Sequence, residues 1–269
     1  MRGKALFAAV QMVSGPEVAP NLEAAGRLIA AAAAAGAKVV ALPENFALLG
    51  RHERDKLAVR EAEGDGPIQS FLARSSREKR VWLVGGTLPM ACADPARARA
   101  ACLVYDASGK RAARYDKRHL FRLDHAAESH DERRTLEPGE ASAAFDTPYG
   151  RFGLSVCYDL RFPELYREAG AVDGWFVPSA FTAVTGAAHW ETLLRARAIE
   201  NQCYVIAPAQ GGTHPGGRRT HGHSMIVDPW GEVLAAQPEG EGVVLAELDG
   251  ARLAEVRKSL PALEHRALP

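Results

Sequence analysis

The sequence has 269 residues, and its 33 Lys plus Arg balance 33 Asp plus Glu, so the formal net charge is zero. A protein that binds nucleic acid through its phosphates needs a basic excess, so we expect no nucleic-acid partner for this neutral chain. Hydrophobic residues at 47% and charged residues at 25% are typical of a globular protein and argue against a disordered one.

The cysteines and the apolar runs indicate the cellular compartment. The sequence contains four cysteines, which are Cys92, Cys102, Cys157 and Cys203. Because they form no CxxC pair and no dense framework, they predict neither a zinc ribbon nor a disulfide scaffold, and Cys102 and Cys203 are expected to be buried. The longest apolar run, residues 28–35, is far shorter than the roughly 18 residues of a membrane span. We therefore expect a soluble, cytoplasmic protein with no membrane partner.

Apolar runs and turn residues predict strands and helices that alternate along the chain. In the first half, the predicted elements are a strand at 6–10, a helix at 22–35 capped by Asn21, a strand at 39–42, a helix at 68–79, a strand at 81–84 and a hairpin of 101–105 with 111–115. In the second half, they are a long loop at 122–140, strands at 152–156, 175–178, 204–208 and 243–248, helices at 163–170 and 189–201, a hairpin of 224–227 with 233–236, and a C-terminal helix. No break in composition divides residues 1–269, so we expect one α/β domain, and the hairpins require its sheets to be mixed.

Three polar residues each follow the end of a predicted strand, and these are Glu44, Lys117 and Cys157. Open α/β folds gather their ligand sites at the carboxyl ends of strands. A carboxylate can take the proton of a thiol, and a nearby lysine lowers the pKa of the thiol and stabilises a developing oxyanion. These three residues therefore supply every group that acyl transfer from an amide requires. Composition alone does not distinguish them from other charged residues, so the alternative that they are unrelated surface charges stays open.

Three segments around these residues resemble the signatures of a known family. They are residues 42–44 (LPE), 115–121 (YDKRHLF) and 153–164 (GLSVCYDLRFPE). In order and spacing they are similar to the signature segments of the nitrilase, or carbon–nitrogen hydrolase, superfamily. The resemblance implies a four-layer αββα sandwich of two mixed sheets flanked by helices. It also implies no cofactor, no metal, and assembly into a homodimer or a larger homo-oligomer.

The same resemblance implies a role for each catalytic residue. Cys157 corresponds to the nucleophile and Glu44 to its general base, while Lys117 and the backbone N–H of Tyr158 correspond to the groups that hold the oxyanion. The family has a second glutamate between the lysine and the cysteine. This chain offers four candidates for it, which are Glu128, Glu132, Glu137 and Glu140. The register of the segment that follows favours Glu132.

The residues after the candidate nucleophile, YDLR, resemble those of amidases rather than those of nitrile hydrolases. Segments 179–182, 185–186, 189–205 and 222–231 are similar to the deaminated glutathione amidase branch. This branch implies a small anionic amide as the substrate, with 2-oxoglutarate and cysteinylglycine as its products. Two alternatives stay open: an omega-amidase acting on 2-oxoglutaramate or related small dicarboxylate monoamides, and a catalytically silent relative that binds a metabolite or a protein.

An anionic substrate requires a cation in its pocket, and Arg161, four residues after Cys157, is the candidate. An ion pair of Arg161 with Asp159 or Glu164 is an equally good interpretation. The remaining candidates for the substrate pocket are Tyr158, Phe181 and Thr182.

A glycine-rich basic segment, residues 211–219, is predicted to lie near the mouth of the pocket and to meet a carboxylate of the substrate. Three histidines invite a metal site but have no cysteine or carboxylate at suitable spacing, so ordinary polar roles are expected for them. They are His214, His221 and His223. Trp190 and Trp230 are predicted to pack in the core or at an interface.

Overall fold

A computed structural model describes residues 1–125 and 128–267 of the chain. The α-helices of these residues are α1 (Val18–Ala34), α2 (Asp55–Ala58), α3 (Pro67–Lys79), α4 (Pro163–Glu168), α5 (Ala183–Asn201) and α6 (Gly250–Ser259). Two short 3₁₀ turns cover Glu132–Arg134 and Cys157–Arg161. No helix in this part of the chain combines the length and the hydropathy that crossing a membrane requires.

The strands alternate with these helices in both halves of the chain. Those of the first half are β1 (Lys4–Gln11), β2 (Val39–Ala41), β3 (Trp82–Val84), β4 (Leu88–Ala91), β5 (Ala98–Tyr105), β6 (Arg111–Asp116), β7 (Arg122–His125) and β8 (Glu128–Asp131). Those of the second half are β9 (Ala143–Thr147), β10 (Gly150–Leu154), β11 (Gly174–Phe176), β12 (Tyr204–Ala207), β13 (Gly211–Thr213), β14 (Arg219–His221), β15 (Ser224–Val227), β16 (Val233–Gln237) and β17 (Gly242–Asp249).

Two large sheets are both mixed, as predicted. The first has seven strands. Six of them follow the order β17-β1-β2-β3-β5-β4, and the seventh, β6, also pairs with β5. Within it β1, β2 and β3 are parallel. The second has six strands in the order β16-β15-β12-β11-β10-β9, of which β10, β11 and β12 are parallel. The outer pairs of both sheets are antiparallel.

The two faces of β1 show how the layers are arranged. Phe7 and Ala9 point into a core shared with second-sheet residues such as Phe152, whereas Ala8 and Val10 pack with residues of α1 and α3. This period of two is what a strand buried on both faces requires. Since α5 covers the outer side of the second sheet, the layers run helix, sheet, sheet, helix. The predicted αββα sandwich is confirmed.

Each sheet contains a parallel β-α-β-α-β unit, and the carboxyl ends of the two units meet. The backbone N–H of Met12, after β1, donates to the carbonyl of Ala209, after β12, at 3.3 Å. The N–H of Gly211 returns to the carbonyl of Met12 at 2.9 Å. Loops that leave both sheets are therefore brought to one end of the sandwich, where such folds place their sites.

The long loop predicted at 122–140 is wrong for most of its described residues. β7 and β8 pair as an antiparallel ribbon and lead into a 3₁₀ turn, while residues 126–127 lie outside the described residues. This ribbon is rich in charged and polar side chains and forms its own two-stranded sheet. It therefore has none of the apolar alternation by which a half-buried strand is recognised in a sequence.

Asn21 does not cap α1, because that helix begins three residues earlier, at Val18, with Pro20 tolerated in its first turn. The Asn21 side chain instead accepts from the N–H of Gly15 and donates to the carbonyl of Ala47. It joins two loops at the carboxyl end of the first sheet.

The tryptophans differ in environment. Trp190 is buried in the core, as predicted, but Trp230 is 55% exposed on the turn between β15 and β16, so a core role for it is wrong. Cys102 and Cys203 are fully buried, which confirms the prediction for these two thiols.

Gly86, two residues after β3, permits a close approach that fixes the loop after β2. Its φ is +55°, and a Cβ at this position would lie 2.1 Å from the carbonyl oxygen of Pro43. Only glycine fits this contact, because any side chain would push away the residue that precedes Glu44.

We expect Gly86→Ala to be much more destabilising than Gly64→Ala. Gly64 also has a positive φ, +75°, but nothing lies within 4 Å of the point that a Cβ would occupy. Gly64→Ala therefore introduces only backbone strain, which costs roughly 1–2 kcal/mol. Gly86→Ala adds a steric clash of roughly another 1–3 kcal/mol. Urea denaturation of both variants measures the difference, and equal losses would show that the contact with Pro43 is unimportant.

Candidate active site

Glu44, Lys117 and Glu132 come together in a buried ion-pair cluster. The Nζ of Lys117 lies 2.8 Å from Oε1 of Glu44 and 2.8 Å from Oε2 of Glu132. Lys117 directly follows β6, Glu44 lies three residues after β2, and Glu132 opens the 3₁₀ turn after β8. The backbone N–H of Phe121 also donates to Glu132, at 2.7 Å. Lys117 is only 1% exposed and Glu44 only 3%, so the cluster is nearly closed to solvent.

The other candidate glutamates lie elsewhere. Glu137 bonds to the guanidinium of Arg99, and Glu140 is 89% exposed at 3.9 Å from the same group. The side chain of Glu128 lies outside the described residues. Among the described candidates, Glu132 is therefore the second carboxylate on Lys117.

Two carboxylates around one ammonium group keep Lys117 charged despite its burial. Burial by itself lowers the pKa of Lys117, but the charges of Glu132 and Glu44 outweigh it and raise that pKa well above its ordinary value.

Cys157 lies beside this cluster, at a sharp turn after β10. Its φ is +50°, a strained backbone conformation for a residue with a side chain, and its N–H donates to the carbonyl of Pro178 at 3.0 Å. Burial and the negative charge of Glu44 raise the pKa of the thiol well above its ordinary value, and the charge of Lys117 offsets only part of this. These effects favour the protonated thiol of Cys157, and the carboxylate of Glu44 lies close enough to accept its proton.

Asp159, which the sequence suggested only as a partner for Arg161, clamps the cysteine and lysine segments together. Its side chain is fully buried. One carboxylate oxygen accepts from the N–H of Val156 at 2.8 Å and from the hydroxyl of Tyr115 at 2.7 Å. The other accepts from the N–H of His119 at 2.9 Å and lies 2.7 Å from its Nδ1. One carboxylate therefore holds residues on both sides of Lys117 and the residue before Cys157.

Gln210, which the sequence analysis also missed, supports Glu44 from the second sheet. It follows β12, is fully buried, and its Nε2 donates to the carbonyl of Glu44 at 3.1 Å and to the hydroxyl of Ser14 at 2.8 Å. A polar residue three positions after a buried strand was the signal available for it, as it was for Glu44.

A narrow pocket next to Cys157 contains the predicted substrate-binding residues. Tyr158, Arg161, Phe181 and Thr182 all line it. The guanidinium carbon of Arg161 lies 5.3 Å from the centre of the Phe181 ring and 5.8 Å from that of Tyr158. Of the described residues that line this pocket, Arg161 alone carries a charge.

The alternative in which Arg161 forms an ion pair with Asp159 or Glu164 is wrong for the described structure. No such pair occurs among the described side chains, because both oxygens of Asp159 are already occupied. The Nη1 of Arg161 instead lies 3.3 Å from Nδ1 of His189. The arginine is therefore free to meet an anion in the pocket.

The three histidines do not converge on one point. The ring of His214 lies between the carbonyl of Ser14, at 2.8 Å, and the hydroxyl of Thr220, at 2.7 Å. His221 and His223 stack on each other with ring centres 4.1 Å apart. Across residues 1–125 and 128–267, no group of three or more His, Cys, Asp or Glu side chains is arranged to hold a metal ion.

The chain is similar to known proteins over almost its whole length. The family model described as carbon-nitrogen hydrolase matches residues 6–258. The chain is 43% identical over 267 residues to a Synechocystis protein named deaminated glutathione amidase, covering 97% of each chain. It is 38% identical to a human protein of the same name, covering 97% of this chain and 82% of the human one. The crystal structure of Saccharomyces cerevisiae Nit3, described as a member of branch 10 of the nitrilase superfamily, has a TM-score of 0.89 at 32% identity and covers 99% of this chain and 97% of its own.

We expect Asp159→Ala to lower the free energy of unfolding by roughly 3–5 kcal/mol, because it leaves several buried donors without an acceptor. Asp146→Ala is the matched control, since the Asp146 side chain is 74% exposed and pairs with Arg151 at the surface. It is expected to change stability by less than about 0.5 kcal/mol. Chemical denaturation of the two variants measures this, and a similar small loss in both would contradict the clamp.

Proposed function

The chain belongs to the carbon–nitrogen hydrolase family, and within it we propose that it hydrolyses deaminated glutathione through a thioester on Cys157. The observation that carries this proposal is the position of Cys157 beside Glu44, whose carboxylate lies 2.8 Å from the ammonium group of Lys117. The name shared by the Synechocystis and human relatives supports the substrate. The products are 2-oxoglutarate and cysteinylglycine.

In the first half of the reaction, Glu44 takes the thiol proton as Sγ of Cys157 attacks the carbonyl carbon of the amide. The negative charge that develops on the carbonyl oxygen is stabilised by the ammonium of Lys117 and by the backbone N–H of Tyr158. Tyr158 is the second residue of a 3₁₀ turn, where backbone N–H groups have no acceptor within the helix. Glu44 then gives its proton to the amide nitrogen, the C–N bond breaks, and the amine leaves.

In the second half, Glu44 removes a proton from water, and the resulting hydroxide attacks the thioester carbon. The C–S bond breaks, the acid departs, and Glu44 returns the proton to the sulfur. Glu132 holds Lys117 in place through both halves. Because the thiol pKa is raised in the resting site, the sulfur needs Glu44 to take its proton before it can act as a nucleophile.

The acyl half of the substrate is assigned to the narrow pocket beside Cys157. Arg161 offers a bidentate partner for the distal carboxylate of the 2-oxoglutaryl group, and Phe181 and Thr182 line the same pocket.

We also propose a homodimer or larger homo-oligomer, which is supported by the exposed apolar side chains of Ile199 and Trp230.

The proposal is tested by a panel of amides in which 2-oxoglutarate and the released amine are both quantified. We expect deaminated glutathione to be hydrolysed with a higher kcat/KM than 2-oxoglutaramate, and Cys157→Ala to abolish turnover of both. Cys92→Ala, which removes a half-buried thiol, is the control and should retain activity. Preference for 2-oxoglutaramate would favour an omega-amidase, and no turnover of any amide would favour a silent binding protein.

We further expect Glu44→Gln to abolish hydrolysis and, at the same time, to lower the pKa of the Cys157 thiol. The variant removes a negative charge that raises this pKa and leaves the positive charge of Lys117. The pH at which alkylation of Cys157 by iodoacetamide is half-maximal should therefore move to a lower value, as followed by peptide mass spectrometry. An unchanged or higher alkylation pKa would show that Glu44 is not the charge that acts on the thiol.

A further inference from the structure

A second and much larger cavity opens beside the candidate active site. It is a cleft of about 740 Å³, lined by residues 48–53 after β2, by residues 183–184 at the start of α5 and by residues 216–219 between β13 and β14. Its volume lies in the range of sites that hold a small organic molecule.

The cleft is strongly basic although the whole chain is neutral. Its charged lining comprises Arg51, Lys56, Arg218 and Arg219 against a single acid, Glu53. Glu53 forms an ion pair with Lys56 at 3.1 Å, and the more distant charge of Arg218 also acts on its carboxylate. Among the described side chains, the three arginines form no ion pair with a carboxylate, which leaves a surplus of positive charge facing the cavity.

Arg218 is the best-placed of these cations. Its side chain is half-buried, and its Nε is closed to solvent without a hydrogen-bond partner among the described residues. Its backbone is held, because the N–H of the buried His214 donates to the carbonyl of Arg218 at 2.9 Å. Buried polar groups are normally hydrogen-bonded, so the shielded, unused Nε donor of this side chain points to a ligand that supplies the acceptor.

The position of this cleft relative to Glu44 indicates which half of the substrate it would hold. Asn45, the residue after Glu44, lines the cleft, and Lys56 lines both the cleft and the small cavity that contains Glu44 and Glu132. Glu44 must hand its proton to the departing nitrogen, so the amine half of the substrate extends past Glu44. The acyl half lies on the other side, in the narrow pocket with Arg161.

We propose that the cleft binds the amine half of the substrate and that Arg218 receives a carboxylate at its far end. This assignment rests on the proposed function, since it takes its direction from the roles of Glu44 and Cys157. The substrate class is therefore an amide whose amine portion is a peptide-like group with a free carboxylate. Arg51 and Arg219, on the same walls, add to the attraction for that charge.

The test compares deaminated glutathione with its C-terminal carboxamide, which has the same shape and lacks only the terminal charge. We expect the protein to prefer the acid by roughly 10- to 100-fold in kcat/KM, mainly through KM, as a hydrogen-bonded charge pair provides. In Arg218→Gln this preference should fall below about threefold. Arg27→Gln removes the same charge from α1, where Arg27 is 60% exposed, and should keep the preference.

A second readout does not depend on turnover. It is the affinity of the same two compounds for the Cys157→Ala variant, measured with and without the additional Arg218→Gln substitution. If deaminated glutathione is hydrolysed but no better than its carboxamide, the cleft assignment is overturned while the proposed function stands. If neither is hydrolysed but Cys157→Ala binds the acid in preference through Arg218, the proposed function fails and the cleft assignment stands. Absence of any preference in both readouts overturns the cleft assignment.

Discussion

The buried ammonium group of Lys117 is the constraint on which the arrangement of this end of the sandwich depends. Removing a charge from water is expensive unless partners meet it in good geometry, and here the partners come from separate parts of the chain. Glu44 reaches it from the loop that Gly86 holds in place, and Glu132 reaches it from the 3₁₀ turn after the β7–β8 ribbon. Asp159 fixes the lysine segment from the opposite side.

The same charges determine how the thiol is kept at rest. Burial and the negative charge of Glu44 raise the pKa of the Cys157 thiol, which favours its protonated form. A thiolate would react with oxidants and with adventitious electrophiles, because reactivity follows the ionised form. In the proposed mechanism, the nucleophile is therefore generated only when Glu44 takes its proton. The strained turn at Cys157 is stabilised by backbone bonds that do not involve the sulfur.

The sequence predicted those parts of the fold whose residues follow a recognisable local pattern. Short apolar runs bounded by turn residues predicted the buried parallel strands, and the three family segments predicted the surroundings of Lys117. The β7–β8 ribbon was missed because it is polar and has no alternation. Asp159 was not predicted as a clamp, because its partners Tyr115 and His119 lie about forty positions away, and no periodicity reports a hydrogen-bond network between separate segments.

The basic cleft is bounded by residues 48–53, which follow β2 of the first sheet, by residues 216–219 of the separate β13–β14 hairpin, and by Ser129 and His130 of the β7–β8 ribbon. The β13–β14 hairpin lies between β12 and β15 of the second sheet along the chain, and the two large sheets pack on each other through aromatic rings, such as Phe7 and Phe152 with centres 5.2 Å apart. Cores tolerate substitutions that preserve volume and shift backbones slightly. For this protein, a change in the packing between the sheets is thus a route by which substrate preference drifts during evolution, with every residue that meets the substrate left unaltered.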